Sequence, residues 1–249
     1  LNFGLISAIM ALGVNLQWGF AGLFNVGIMG FVALGGLATV LVSMPATPGA
    51  WQAGGAPVIG ALMLGAATVV AAVILMTKMK AGKLRSFSVF GVLVVGFFVY
   101  RGLFDPAVGL IEDIDPAATG YLGGLGLPIL FAWPAGGLLA AAVAWLIGKT
   151  ALGLRSDYLA IATLGISEII IAVMKNEDWL GRGVKNVVGL PRPAPYEVDL
   201  QSNTAFIERA NGLGLDAVTA STLWVKLIYA GLFTVVLVIL FVIAQRALH

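Results

Sequence analysis

The first 77 residues carry no charged side chain; the first is Lys78. A water-soluble globule cannot be covered from such a stretch, because its surface needs polar groups that these residues do not supply. A helix crossing a bilayer takes about 20 consecutive apolar residues, so this stretch alone has room for two or three. The rest of the 249-residue chain is similar, with 60% hydrophobic and 10% charged residues overall, against about 25% charged in a soluble domain. The expected fold is all-α, a polytopic transmembrane helix bundle with about seven spans.

The same composition excludes several chemistries. There is no cysteine, hence no disulfide framework and no thiolate metal site. The single histidine is His249, which leaves no imidazole cluster for metal binding or acid–base catalysis. No G-x-x-x-x-G-K-[ST] loop occurs, so nucleotide hydrolysis by this chain is not expected. The basic residues form no patch with interleaved aromatics, which argues against nucleic acid as a partner. The chain is expected to be no enzyme and to bind no cofactor or metal itself.

Seven apolar stretches qualify as spans, at 1–18, 26–44, 57–77, 86–104, 128–148, 158–174 and 223–245. Prolines punctuate the connections, with Pro45, Pro48 and Pro57 in one and Pro106 and Pro116 in another. Charge alternates between successive connections. Residues 78–85 hold Lys78, Lys80, Lys83 and Arg85 without an acid, whereas 105–127 hold Asp105, Glu112, Asp113 and Asp115 without a base. Summed over all connections, one side has seven basic residues and one acid, the other five basic and ten acidic. The positive-inside rule then places 78–85, 149–157 and the C-terminus in the cytoplasm. Trp51, Trp133, Trp179 and Trp224 fall near the opposite boundary, as an aromatic belt would.

The connection 175–222 holds eleven of the 26 charges. A loop of that length is a solvated excursion or a docking face for an external partner. Within it, 201–210 has the pattern of a short amphipathic helix. Small residues recur at four-residue spacing in Ala61 and Gly65 and in Ala140, Ala144 and Gly148, a pattern that lets helix backbones approach. The opening, LNFGLISAIMALGV, has neither an initiating Met nor a basic n-region and reads as the inside of a first span. The sequence is expected to be part of a longer polypeptide.

Polar groups at membrane depth are the site candidates. Glu168 is the only acid near the middle of a span, and burying it there costs at least ~2.5 kcal/mol. It either lines a polar pathway, or bonds to a neighbouring helix or reaches water at a displaced helix end. Thr163 and Ser167 form an adjacent stripe. Arg101 lies four residues before Asp105, a local pair, and Lys226 is expected to anchor at the interface. Asn15, Gln17 and Asn25 surround the glycines of GFAGLFNVGIMGFVALGG (19–36). Six glycines in eighteen residues need a reason, since each costs about 1 kcal/mol against alanine in a helix. A break from Gly19 through Gly22 to Gly27 would line a substrate route, or be a tight turn with glycine-mediated packing.

Two stretches resemble a known family. ALGVNLQWGFAGLFNVGIMGFVALGG (11–36) looks like the opening of the membrane subunits of branched-chain amino-acid ABC transporters, with their G-x-x-G-x-x-x-x-G signature. LRSDYLAIATLGISEIIIAVMKN (154–176) with GLPRP (189–193) is similar to the same family's loop–helix–loop unit. Its R-x-x-Y-x-A-I-x-T-L-x-x-x-E pattern falls on Arg155, Tyr158, Ala160, Ile161, Thr163, Leu164 and Glu168. The chain departs from the family at Asn25-Val26 and at LGRGVKNVVG (180–189), where many members have T-G-G-x-x-G. The family's cytoplasmic coupling segment would begin where this chain stops.

The resemblance implies a permease domain over 1–249, incomplete at both ends, in a bacterial cytoplasmic membrane. It implies a second permease subunit, two cytoplasmic ATPases using ATP and Mg, and an external binding protein delivering hydrophobic amino acids. That protein would dock on the outer loops, with Asp113, Arg182, Lys185 and Arg192 as candidate contacts. An ion-coupled secondary carrier of small neutral solutes, or a non-transporting subunit of a membrane complex, are the alternatives.

Overall fold

The computed structural model describes residues 1–115, 117, 120–151 and 153–248. Pro116 and His249 lie outside the described residues. The architecture is all-α, an apolar polytopic helix bundle. The long helices are α1 (Asn2–Phe20), α2 (Ile28–Ser43), α3 (Pro48–Lys78), α4 (Lys83–Glu112), α5 (Ile129–Ala151) and α6 (Ser156–Asn176). Three short helices follow, α7 (Asp178–Gly181), α8 (Glu197–Ser202) and α9 (Thr204–Gly212), then α10 (Ala217–Leu248). Six of the long helices are long and apolar enough to cross a bilayer. The seventh, α2, has 16 residues and measures about 24 Å at 1.5 Å per residue, short of the ~30 Å hydrocarbon core.

Two helices differ from the proline-based expectation. Pro48 opens α3 rather than belonging to a turn, because the first helical position needs no N–H. The helix then runs through Pro57 after a π-helical stretch at Trp51–Gly55. Pro106 likewise lies inside α4, which loses one i→i−4 bond there and continues to Glu112.

The chain divides into two compact units. Unit 1 comprises Leu1–Gly36, Pro128–Ile170 and Leu190–His249. Within it α1 packs along α10, and the Asn2 amide donates to the Lys226 carbonyl at 3.1 Å. Trp133 of α5 stacks near Phe233 of α10, centroids 6.3 Å apart. The amphipathic segment expected at 201–210 is divided at Asn203: 201 and 202 end α8, and the rest lies in α9, whose first turn is capped by the Asn203 side chain accepting from Phe206 N–H. Gln201 donates to the fully buried Ser221 hydroxyl at 2.9 Å, tying α8 to α10.

Unit 2 comprises Leu37–Leu127 and Ile171–Gly189. Its core joins Val58 and Ala61 of α3, Phe104, Ala107 and Ile111 of α4, and Trp179 of α7. Trp179 is therefore a core residue rather than part of an aromatic belt: its ring meets Phe104 edge-on and its N–H donates to Glu177. The last carbonyls of α2 would lack partners at the helix end. Leu125 N–H reaches Leu41 O, Gly126 N–H Met44 O, and Leu127 N–H Val42 O, each at 2.9 Å. Arg101 and Asp105 form the expected pair at 3.0 Å on an exposed face.

Candidate functional site

The bend between α1 and α2 meets α6 within unit 1. The π-helical turn Leu16–Phe20 ends α1, and Gly22 leaves it with φ +63°. The chain then bends back: Leu23 N–H bonds Gln17 O, and Asn25 N–H bonds Leu23 O. Asn25 holds this bend through both ends of its amide. Its NH2 group donates to Gln17 Oε1 at 2.9 Å, and its Oδ1 accepts from Gly27 N–H at 2.9 Å. The Trp18 indole N–H closes on Asn25 O at 3.1 Å.

Hydroxyls of α6 then receive the start of α2. Val26 N–H donates to Thr163 Oγ1 at 3.2 Å, and Gly30 N–H to Ser167 Oγ at 2.8 Å. Gly30 N–H is one of the orphan donors of the α2 N-terminus, Val26 N–H lies just before the helix, and a distant helix supplies both acceptors. Such an approach requires glycine. A Cβ on Gly27 would overlap the Thr163 carbonyl, and one on Gly30 would stand 2.9 Å from the Ser167 Cα. Thr163 and Ser167 are both buried.

Beside this joint lies an open-sided cavity of about 420 Å³. Gln17, Asn25 and Thr163 provide its polar lining. Its wall on α5 is mostly small residues, chiefly Ala140, Ala144 and Gly148 at helical spacing, and Ile147 on the same helix, Leu23, Phe31 and Leu159 contribute bulk. The Gln17 NH2 group has no partner among the described residues. The cavity therefore offers a mostly apolar chamber with two amides and a hydroxyl in its lining, a composition common to small-molecule sites.

The other pathway candidates lie elsewhere. Asn15 turns its Oδ1 over Gly19 and lines a separate cleft with Leu12 of α1 and Val238 and Phe241 of α10. Glu168 is exposed on the surface of the chain, outside the cavity lining, with no ion-pair partner among the described residues.

The charged candidates fall in different units. In unit 2, Arg182 is buried, with φ +63°, and holds the loop from inside by donating to Asn186 O at 2.9 Å and to Ala117 O. Burial raises the Tyr121 hydroxyl above its ordinary value, against the opposing pull of the Arg182 guanidinium. Lys185 pairs with Asp178 at 2.8 Å, and Asp113 is exposed at the end of α4. In unit 1, Arg192 pairs with Glu197 at 2.9 Å and lies over the Tyr196 ring. The Glu197 carboxyl is held below its usual range by its own backbone amide at the start of α8 and by Arg192. Among the described residues no group of three or more His, Cys, Asp or Glu could hold a metal ion.

The sequence reading missed the α5 wall. Ala140, Ala144 and Gly148 had the spacing of a packing stripe, and nothing in that spacing distinguishes packing from the lining of a space.

No family model matches the chain, and no solved structure matches it. Over 72 residues, 29% of its length, it is 39% identical to the high-affinity branched-chain amino acid transport system permease protein LivM of Escherichia coli (strain K12). The protein of the same name from Salmonella typhimurium (strain LT2) is 35% identical over 71 residues, 28% of this chain. The chain covers 17% of the length of each of these relatives.

Proposed function

We propose that this chain is a membrane-spanning permease subunit of an ATP-driven importer, moving branched-chain, hydrophobic amino acids handed over by an external binding protein. The partial identity with two LivM permeases carries this reading. The unit 1 cavity supports it, because an apolar wall with a few amide and hydroxyl groups suits a net-neutral solute. So does the shortage of charge within the helices, since ion-coupled proton movement generally runs through relays of acids and bases.

On this reading the partners are a second permease, two cytoplasmic ATPases that use ATP and Mg, and the binding protein. The membrane is the bacterial cytoplasmic membrane, and the bias of basic residues puts the C-terminus inside. Gln17, Asn25 and Thr163 face the solute; Gly19, Gly22, Gly27 and Ser167 shape the backbone around it. Asn15 and Glu168 enter the pathway as intramembrane polar groups outside the cavity, Glu168 as an exposed carboxylate in an apolar helix. Asp113, Lys185 and Arg192 are the docking contacts, and Arg182 maintains the loop that presents Lys185.

Uptake of L-leucine into vesicles holding the intact protein with its partner permease, ATPases and binding protein tests the reading. Uptake is expected to require both ATP and the binding protein. Uptake driven by an ion gradient alone, indifferent to both, would overturn it.

A further inference from the structure

Resting on that reading, we infer that the α5 wall of the unit 1 cavity sets the size limit of the transported solute, with Ala144 at its centre. Three observations lead there. Apart from Ile147 the wall carries a methyl group or none, with Ala140, Ala144 and Gly148 on one stripe, so along that stripe its depth is set by what those side chains leave empty. Ala144 is exposed rather than packed against a neighbouring helix of unit 1. The polar lining is drawn from Gln17, Asn25 and Thr163, and the first two belong to a bend fixed by five hydrogen bonds.

A solute with a hydrogen-bonding end and an aliphatic body has a place for each in this arrangement. The polar end meets the unpartnered Gln17 NH2 group, and the aliphatic body lies along α5. Because Asn25 anchors the bend to both Gln17 and Gly27, the polar side cannot retreat to admit a longer body. The tolerance for length lies on α5. The ligand class is thus a net-neutral amphipathic solute about the size of a branched aliphatic amino acid. A lipid chain or a helix of another subunit would instead be indifferent to the amide.

Leucine and valine differ by one methylene and serve as the probes. In the reconstituted transporter, Ala144→Val is expected to lower the leucine-to-valine uptake ratio about tenfold, the lower end of what one methylene is worth in an apolar pocket. Equal loss of both, or an unchanged ratio, overturns the inference while wild-type uptake remains as evidence for the permease reading. A second measurement does not depend on transport. The 249 residues contain no cysteine, so Ala144→Cys introduces a thiol into a stretch that otherwise has none. A water-soluble thiol reagent is expected to label it, and added L-leucine to slow the labelling at least threefold. Labelling that leucine leaves unchanged, or that only a lipid-soluble reagent achieves, assigns the space to lipid or another subunit and overturns the inference.

Discussion

Two helices carry small residues at the same four-residue spacing and use them in opposite ways. On α3, Ala61 has no exposed surface, and a methyl placed on Gly65 would stand 3.3 Å from the Tyr100 ring of α4. There the stripe does what small-xxx-small spacing allows: it brings two backbones together. On α5, Ala140, Ala144 and Gly148 line an opening of about 420 Å³. The spacing is the same and the outcome differs because α4 supplies Tyr100 and Phe104 on the facing side, stacked at 5.0 Å. The other residues lining that opening are a turn, Phe31 of α2, and Leu159 and Thr163 of α6. A small-residue stripe permits close approach; only what faces it decides whether the space is filled.

Enlarging one residue in each stripe breaks or sharpens this contrast. Ala61→Leu forces three extra carbons into a filled contact and is expected to cost about 3 kcal/mol. For a chain of this size that lowers Tm by about 10 °C. Ala144→Leu adds the same carbons to open space and is expected to stay within about 0.5 kcal/mol of the parent. Thermal unfolding of the two purified variants compares them directly. Equal destabilisation would mean that the α5 stripe is also a packed contact.

The joint between α2 and α6 is the next test, because there a close approach is completed by hydrogen bonds rather than by rings. Ser167→Ala leaves the Gly30 amide, now paired at 2.8 Å, without an acceptor in a buried place. Stranding such a donor costs about 1–2 kcal/mol. Amide exchange at the start of α2 should rise in proportion, with Ser167→Thr restoring most of the protection. If Ser167→Ala leaves exchange unchanged, the hydroxyl is not what holds the helix.

Much of this fold was readable from hydrophobic runs alone, since each of the seven expected stretches falls on one of the long helices. The helix ends were not. Pro48, Pro57 and Pro106 signal turns in water, yet each is carried inside or at the start of a long helix here. Side-chain partners were still less visible. Helices that are apolar all round show no stripe that marks which face packs, so sequence could not tell Ala61 from Ala144. Nor could it tell the buried Trp179 from a belt tryptophan, or the buried Arg182 from an exposed docking residue. What did carry over was polarity in an apolar setting. Asn15, Gln17 and Asn25 stood out because amides in lipid need partners, and Thr163 and Ser167 as a hydroxyl stripe on one helix; all but Asn15 gather at the α1–α2 bend and its joint with α6. Glu168 stood out on the same ground and does not join them.

The smallest effect expected concerns a helix start that depends on no distant group. Asp216 accepts from Thr219 N–H at 3.0 Å and caps α10 locally. Hydrogen bonds from the Thr219 side chain and backbone hold its carboxyl below the ordinary aspartate value. A carboxyl depressed by folding stabilises the folded state fully above its unfolded pKa, and the contribution is lost as pH falls through the lower, folded value. Protection of the first turn of α10 should therefore be level near neutrality and weaken only in acid, below the ordinary aspartate range. In Asp216→Ala that step should disappear, while protection at the start of α2 follows the same pH course as in the parent, since Ser167 and Thr163 do not titrate. Exchange measured across that acid range separates the two kinds of start. A shared acid step in both helices would show that the α2 joint depends on a carboxylate as well.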